Sequence, residues 1–177
     1  MDARSAKPIV GILTSRTDLL RDFLGMLSDF FGREDIVGDW LAFDHTRYYE
    51  EEMGSGLLRT FVSFERHTAG EDAAQFKKWT RIVEDDFRRG GKRTVNLDAG
   101  TLDANKVVLV SGKHGGHKIA LAPGVWADIM LWYNRGWVAL PWAFPDFRDG
   151  KLFPLFTEMR KRYKDAVNSE PPPTSPS

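Results

Sequence analysis

The residues of this chain best suited to chemistry are concentrated in one stretch, residues 41–66. Groups able to move protons, bind a metal or pair with a phosphate follow one another closely there: Asp44, His45, Tyr48, Tyr49, Glu50, Glu51, Glu52, Glu65 and Arg66. We interpret the stretch as two extended segments joined by an acidic turn. Because adjacent residues of a strand point to opposite faces, Asp44 and His45 can serve one site only at a bulge or a strand end.

Some of these groups predict metal or acid–base chemistry. The candidate metal ligands are Asp44, His45 and Asp98, since oxygen-rich ligation suits Mg²⁺ or Mn²⁺ and histidine extends the choice to Zn²⁺. A divalent metal ion is therefore the candidate cofactor. His45 is also a candidate catalytic residue, and Glu50, or its neighbour Glu51, is the candidate base. The alternative is structural: the glutamates form a solvated acidic turn, and Asp44 caps a turn.

A second group occupies the glycine-rich basic segment 112–118, GKHGGHK. Lys113 and Lys118 are candidate anion-binding residues. His117, on a predicted strand between them, is a candidate catalytic acid near neutral pH. The segment lacks P-loop spacing and no helix follows it, so any anion would be bound by backbone N–H groups at a hairpin. The alternative is a set of turn glycines beside a surface histidine.

Polar residues also interrupt an apolar strand at Asn96 and Asp98, which share one face of the strand. Polar side chains that point into a packed layer are costly unless they are paired. Two explanations stay open: pairing with Arg59 or Arg66, or a ligand site. We assign Asn96 and Arg66 to the candidate ligand-binding set.

The elements that position these groups follow from hydrophobic periodicity. Strands are predicted over residues 8–14, 36–43, 58–64 and 93–98, and apolar helix faces over residues 19–31 and 73–87. This order of strand, helix, strand, strand, helix, strand matches a ferredoxin-like split βαβ unit.

The second half is predicted to be mostly β. Strands are expected over residues 107–111, 117–122, 126–133 and 137–140, followed by a proline-interrupted aromatic loop, 141–148, and a helix, 151–167. The predicted fold is α+β: a ferredoxin-like βαββαβ first half continued by an antiparallel β-meander and a C-terminal helix. We expect one domain over residues 1–168 and a disordered Pro/Ser tail over residues 169–177.

Composition limits the classes of function. The 25 Lys and Arg residues balance 25 Asp and Glu residues, which argues against non-specific binding of nucleic acid. The absence of cysteine excludes disulfides, thiolate metal sites and cysteine nucleophiles. The N-terminal residues lack the apolar core of a signal peptide, and no apolar run approaches the ~20 residues of a membrane span. We expect a cytoplasmic protein of bacterial type that does not bind membranes.

Four segments carry a resemblance: FDHTRYYEEEMG at 43–54, FVSFER at 61–66, VNLDAG at 95–100 and PWAFPDFR at 141–148. Together they resemble domain-of-unknown-function family 4416, an uncharacterised bacterial family, from residue 7 to about residue 163. Its K-x-x-x-H-[RK] segment matches Lys113, His117 and Lys118. The chain departs from the NLDPGY and PWTYPDYR patterns of the family, with lost hydroxyls among the differences: Ala99, Thr101, Ala143, Phe144 and Phe147 replace Pro, Tyr, Thr, Tyr and Tyr. The resemblance implies no particular activity.

Taken together, these residues favour a polar cleft that binds a phosphorylated small molecule or a nucleotide, with metal-assisted hydrolysis as a narrower hypothesis. Convergence of His45, Asp98 and His117 in one cleft would support this function. The alternative is a non-catalytic module that binds a protein partner through the aromatic loop 141–148. A third possibility, binding of single-stranded nucleic acid, requires Trp and Arg side by side on one sheet face.

Overall fold

The structure is a computed structural model that describes residues 5–169 as a mixed α/β fold around one mostly antiparallel sheet. Its strands are β1 (Ser5–Thr14), β2 (Glu34–Val37), β3 (Leu41–Ala42), β4 (Leu58–Phe64), β5 (Thr68–Ala69), β6 (Val95–Leu102), β7 (Lys106–Ser111), β8 (Ile119–Ala122), β9 (Val125–Tyr133) and β10 (Trp137–Ala139). Its α-helices are α1 (Leu20–Phe31), α2 (Glu50–Met53), α3 (Phe76–Asp86), α4 (Pro145–Arg148) and α5 (Phe153–Ser169). Short 3-10 helices, Thr17–Leu19 and Gly70–Gln75, precede α1 and α3. Within residues 5–169, no helix has the length and apolar character needed to span a membrane.

The sheet is organised around β1. The strand order is β10-β9-β7-β6-β1-β4-β2, and β3, β5 and β8 pair with β4, β1 and β9 respectively. Gly11, in the middle of β1, lies opposite Phe61 of β4 on one side and opposite Asp98 of β6 on the other. Both faces of β1 are covered, which explains why its sequence is a continuous apolar run rather than an alternating one.

Each face of the sheet packs against its own set of helices. On one face, α1 and α3 contribute rings such as Phe23, Phe31 and Phe76 to a core that includes Val10 and Ile12. On the other face, α5 and the segment before it cover a second core, whose fully buried side chains include Ile9, Phe61, Phe147, Phe156 and Met159. We call these surfaces the α1/α3 face and the α5 face.

The first half largely follows the predicted order of elements. The predicted strand 36–43 is wrong in one respect, because the chain forms β2 and β3 with a break between them. The break begins at Gly38, where an added Cβ would lie only 2.4 Å from Leu155 Cδ2 of α5. The break therefore coincides with a close approach of α5, which leaves no room for a side chain at Gly38. Similarly, the acidic turn predicted within residues 41–66 contains a single helical turn, α2.

The second half differs from a simple meander. In a meander, β8 would lie between β7 and β9, but β9 pairs directly with β7. Ala127 of β9 lies opposite Val110 of β7 on one side and Ile119 of β8 on the other. The glycine-rich segment 112–118 thus carries the chain across to the far edge of β9. The prediction that His117 lies on a strand is wrong, because His117 lies within this segment.

Two further predictions concern the C-terminal part. The predicted aromatic loop 141–148 ends in the one-turn helix α4, which Pro145 begins. The helix predicted over 151–167 corresponds to α5, which ends at Ser169. The rest of the predicted tail, residues 170–177, lies outside the described residues.

Candidate functional site

The candidate site is an opening between two strands of the sheet. β6 and β7 pair only over three positions, from Gly100 opposite Leu109 to Leu102 opposite Val107. Beyond Gly100 the strands part, and residues 95–99 of β6 have no partner on β7. We call this opening, with the side chains around it, the seam cleft. Its volume is about 380 Å³, within the range of small-molecule sites.

The side chain of Glu84 compensates for the missing strand pairing. The N–H of Leu97, which has no partner on β7, donates to Glu84 Oε1 at 2.7 Å. Glu84 reaches this position from α3 and is buried. Burial raises the pKa of its carboxyl above the ordinary value of 4.5, although Lys77 opposes the shift.

Polar side chains of the α5 face form the floor of the cleft. Asn96 and Asp98 of β6 project there, and Asp128 of β9 joins them from the far side of β7. Asn96 Nδ2 donates to Asp98 Oδ2 at 3.1 Å. Asp128 is 6% exposed, and its Oδ1 has no hydrogen-bond partner among the residues that the structure describes.

Behind the floor, a buried arginine holds two carboxylates. Arg59 of β4 is 3% exposed, and its Nη1 donates to Asp98 Oδ2 at 2.7 Å. Its Nε lies 3.3 Å from Asp146 Oδ2, close enough for an ion pair but not aligned as a hydrogen bond. Burial acts to lower the pKa of Arg59, but the attraction of Asp98 and Asp146 outweighs it and raises the pKa. Burial likewise raises the pKa of Asp146, against the opposing effect of Arg59.

Gly11 makes this arrangement possible. Arg59 lies on one neighbour of β1 and Asp98 on the other, so the guanidinium must cross over β1. A Cβ at Gly11 would lie 2.9 Å from Arg59 Nη1 and 2.7 Å from the Phe61 ring. The missing side chain therefore leaves the space through which Arg59 reaches Asp98.

The rim of the cleft is basic. Lys77 and Arg81 project from α3, whereas Lys113 and Lys118 lie in the segment after β7. Within residues 5–169 none of these four side chains has a carboxylate within ion-pair distance. Lys113 Nζ instead donates to Tyr48 Oη at 3.3 Å, and Lys118 Nζ to Ser111 Oγ at 3.3 Å.

A fifth basic residue of the cleft, Arg93, is neutralised by an acid. Its Nε and Nη2 donate to the two carboxylate oxygens of Glu52 at 2.9 and 2.7 Å. Its Nη1 donates to Asn96 Oδ1 at 2.9 Å. Hydrogen bonding to Arg93 lowers the pKa of Glu52, and this bidentate pair ties α2 to the start of β6.

Three rings complete the lining: Tyr48, Tyr49 and Phe144. Tyr49 is partly buried, and burial raises the pKa of its hydroxyl. Phe144 belongs to the loop 141–148 and is 42% exposed. The cleft therefore combines cations, acceptors and flat apolar surfaces.

The structure brings four of the predicted site residues together. Asn96, Asp98, Lys113 and Lys118 all line the seam cleft. The explanation of Asp98 as a partner of Arg59 is confirmed. Arg66 is elsewhere: it follows β4 seven residues after Arg59, roughly 20 Å along the strand direction, where it donates to the Phe30 carbonyl.

The predicted catalytic residues do not line the cleft. His45 Nε2 lies 3.2 Å from Asp149 Oδ2, and Glu50 is an exposed residue of α2. His117 Nε2 lies 3.1 Å from Asp128 Oδ2, and its ring stacks on Trp142 at 5.2 Å. His117 thus contacts a residue of the floor, but the predicted convergence of His45, Asp98 and His117 is not observed.

The predicted metal ligands are likewise spread out. Asp44 is exposed in the loop after β3, His45 contacts Asp149, and Asp98 is held by Arg59. Among the described residues, no three histidine or acidic side chains are grouped as a metal site would require. A divalent ion at Asp44, His45 and Asp98 therefore stays a prediction from the sequence alone.

Several cleft residues were missed by the sequence interpretation. Lys77 and Arg81 belong to the polar side of α3, which resembles an ordinary solvated face, and Arg93 precedes its strand. The sequence did contain a signal for Asp128. This charged residue interrupts a strand face that is otherwise made of Trp126, Met130 and Trp132. A charge on such a face needs a partner, which could have identified it.

A larger opening of about 470 Å³ lies between β2 and the start of α5. Its acidic side chains are Asp35, Asp39 and Glu158. Asp35 is already paired, because Lys7 Nζ lies 2.5 Å from its Oδ2 and Ser63 donates to its Oδ1. None of the predicted site residues lines this opening, and we assign the candidate site to the seam cleft.

Comparison with known proteins identifies the family. The chain belongs to the DUF4416 family, a domain of unknown function whose model matches residues 4–163. The resemblance seen in the sequence is thereby confirmed. No curated protein and no solved structure gives a significant match.

Proposed function

We propose that this protein binds a small phosphorylated molecule in the seam cleft. The observation that carries the proposal is the basic rim: Lys77, Arg81, Lys113 and Lys118 surround one opening, and none is ion-paired within residues 5–169. Placing four like charges around a cleft is unfavourable unless an anion enters it. A phosphate group supplies both the charge and several acceptor oxygens.

Gly112 supports this proposal from the backbone. A Cβ there would lie 2.6 Å from Arg81 Nη2, so the guanidinium rests against the chain where β7 ends. Arg81 is thereby held beside Lys113. The contact brings a cation of α3 next to those of the segment 112–118, although the two elements are far apart in sequence.

The test is a binding measurement with matched variants. Calorimetric titration of the protein with inorganic phosphate, pyrophosphate and AMP should give saturable binding by at least one of them, weakening as ionic strength rises. The double variant Lys113→Ala/Lys118→Ala should bind at least about tenfold more weakly, because each charge-assisted contact contributes about 1.5–3 kcal/mol.

The matched control is Lys161→Ala/Lys164→Ala, which removes the same charge from exposed positions of α5. It should bind as the unaltered protein does. Equal weakening of both double variants would mean that only net charge matters. That result, or no binding of any of the three compounds, would contradict the proposal.

Hydrolysis of the bound molecule is a narrower hypothesis. His117 and Asp128 form the acid–base pair nearest the floor, and an imidazole held by a carboxylate suits proton transfer. Release of phosphate from a bound ester, lost in His117→Ala with binding retained, would support it. Unchanged phosphate release in His117→Ala would show that His117 takes no part in the hydrolysis.

One observation favours a second function, binding of a protein partner through the loop 141–148. Trp142 and Phe144 are 39% and 42% exposed, whereas Ala143 and Phe147 between and beside them are buried. Large exposed rings are a feature of interaction surfaces. A partner retained by Lys113→Ala/Lys118→Ala but lost by Trp142→Ser would support this function.

We also infer that the first half is a ferredoxin-like unit. The order β6-β1-β4-β2, antiparallel throughout, and the position of α1 and α3 on one face support this inference. An experimental structure that superposes these elements on ferredoxin-like domains would test it.

A further inference from the structure

We infer that the molecule bound in the seam cleft carries hydroxyl groups close to its phosphate, as a sugar phosphate or the ribose of a nucleotide does. Asp98 and Asp128 would accept hydrogen bonds from these hydroxyls. The inference deepens the proposed function and rests on it, because it concerns the floor of the cleft whose rim would bind the phosphate.

The first observation is the incomplete hydrogen bonding of Asp128. Its side chain is more than nine-tenths buried, and one oxygen, Oδ2, lies within reach of His117. Within residues 5–169 the other oxygen, Oδ1, has no hydrogen-bond partner and is itself buried, although the residue lines the cleft. A buried carboxylate oxygen without a donor is strongly unfavourable, and a donor brought by a bound molecule relieves that cost.

The second observation is that Asp98 offers a reachable acceptor in the same cleft. Asp98 directs Oδ2 to Arg59 and Asn96, whereas its Oδ1 makes no hydrogen bond within residues 5–169. The side chain is 21% exposed in the cleft. Asp98 and Asp128 lie on the same face of the sheet, because Gly100, two residues after Asp98, is opposite Leu109, which is opposite Asp128. Asp98 and Asp128 thus border the same cleft from opposite sides of β7, and two such acceptors suit a molecule with more than one hydroxyl.

Charge decides between hydroxyl and ammonium donors. Among residues 5–169, the basic residues that line the cleft are Lys77, Arg81, Lys113, Lys118 and Arg93, of which Arg93 is paired with Glu52. The lining acids are Glu84, Asp128 and Asp98, of which Asp98 is paired with Arg59. Four cations and two acids are therefore left without an ion-pair partner of that kind. A cleft with this excess of positive charge disfavours a cationic ligand. Neutral hydroxyl donors attached to an anionic phosphate fit both the floor and the rim.

The experiment compares ligands of equal charge. Calorimetric titrations use ethyl phosphate, which lacks hydroxyls, ribose 5-phosphate and AMP, with inorganic phosphate as the reference for the rim. The unaltered protein should bind ribose 5-phosphate or AMP at least about tenfold more tightly than ethyl phosphate. Tighter binding of AMP than of ribose 5-phosphate would identify a nucleotide, and equal binding would identify a sugar phosphate.

Asp128→Asn is the decisive variant, because it keeps the shape of the side chain and removes its charge. The variant should bind the hydroxylated ligand at most about threefold more tightly than ethyl phosphate, a difference that is within the ordinary non-additivity of such measurements. Inorganic phosphate should bind it as well as before or more tightly, since a negative charge near the anion has been removed. The two ligands thus respond in opposite directions, which general damage to the fold would not produce.

His117→Ala separates a direct role of Asp128 from one exerted through the histidine. If this variant loses the preference as fully as Asp128→Asn does, direct acceptance by Asp128 is contradicted. If the unaltered protein binds ethyl phosphate as tightly as the hydroxylated ligands, the inference fails while the proposed function stands. If it binds none of the phosphates, the proposed function itself fails. The comparison on unaltered protein remains decisive even if a variant does not fold.

Discussion

On the α1/α3 face, the inward side chains of β1, β4 and β6 carry no charge and are mostly apolar, whereas on the α5 face the same strands bury charged groups. Val10 and Ile12 represent the first face. On the second face, Lys7 lies near one end of the strands, and Arg59, Asn96 and Asp98, all largely buried, lie near the other, which we call the polar end. The two faces of one sheet thus differ in the polarity of the side chains that they bury.

This difference distinguishes the residues that stabilise the fold from the residues that form the candidate site. The α1/α3 face is stabilised by burial of apolar area, about 25 cal/mol for each Å². The polar end of the α5 face buries charges, whose desolvation offsets most or all of their mutual attraction. A charged network whose net contribution to stability is this small is expected to serve the cleft, although removal of one partner would leave the others as uncompensated buried charges. Four predictions test this difference between the two faces.

The largest effect is expected from Arg59→Met, which keeps the volume of the side chain but removes its charge. Asp98 and Asp146 would then be left without their cation, and we expect a loss of about 3–5 kcal/mol in the free energy of unfolding. Urea denaturation measures the loss. The control, Arg162→Met at an exposed position of α5, should change stability by less than about 0.5 kcal/mol. A loss below about 1 kcal/mol for Arg59→Met would show that the network is not needed.

Gly11→Ala should have the next largest effect. The added methyl would lie 2.7 Å from the Phe61 ring and 2.9 Å from Arg59 Nη1, and overpacking of this kind costs about 1–3 kcal/mol. Gly25→Ala is the matched control, since a Cβ there meets no atom within 4 Å. In the middle of α1 it should stabilise the protein by about 0.5–1 kcal/mol. Thermal unfolding that shows the same sign for both variants would contradict the account of Gly11.

A pH-dependent effect is expected at Glu84, whose pKa is raised by burial. The folded state then binds this proton more tightly than the unfolded state, so stability falls as pH rises above the ordinary pKa of 4.5. Glu84→Gln keeps an acceptor for the Leu97 N–H and removes the titration. We expect the variant to gain stability relative to the unaltered protein between pH 4.5 and 8, by about 1 kcal/mol. A constant difference across this range, measured by urea denaturation, would contradict the burial of an ionisable Glu84.

The smallest effect is expected from Glu52→Gln. The pair with Arg93 is partly exposed, so its loss should cost about 0.2–1 kcal/mol at pH 7. Because hydrogen bonding to Arg93 lowers the pKa of Glu52, the contribution is present above pH 4.5 and disappears as pH falls through the lowered pKa. Unfolding measured at pH 7 and pH 3 should show a larger difference at pH 7 than at pH 3. A cost larger than that of Gly11→Ala would mean that the Glu52–Arg93 pair stabilises the fold more than the packing around Gly11 does.

The fold was predictable where local patterns were strong. A continuous apolar run predicted β1, and the spacing of Phe23, Leu27 and Phe31 predicted α1. The close approach of Leu155 of α5 to Gly38, where the strand breaks, was not predictable, because the two residues lie more than a hundred positions apart in the chain. Likewise, β8 crosses to the far edge of β9 through glycines that predict only a turn.

The site was predictable only in part, for a related reason. Asn96 and Asp98 were identified because polar residues interrupt an apolar strand, and Lys113 and Lys118 because they lie in a basic glycine-rich segment. Arg81 and Asp128 reach the same cleft from α3 and β9. Their convergence depends on where β6 and β7 separate, and no local pattern encodes that point.

The central claim is that a phosphorylated molecule occupies the seam cleft. The most direct test is a titration of ¹⁵N-labelled protein with ribose 5-phosphate, followed by the amide resonances. We predict saturable shifts for residues 96–98 and 111–118, and none around the larger acidic opening at residues 35–41. Shifts confined to residues 35–41, or no saturable shift anywhere, would contradict the claim.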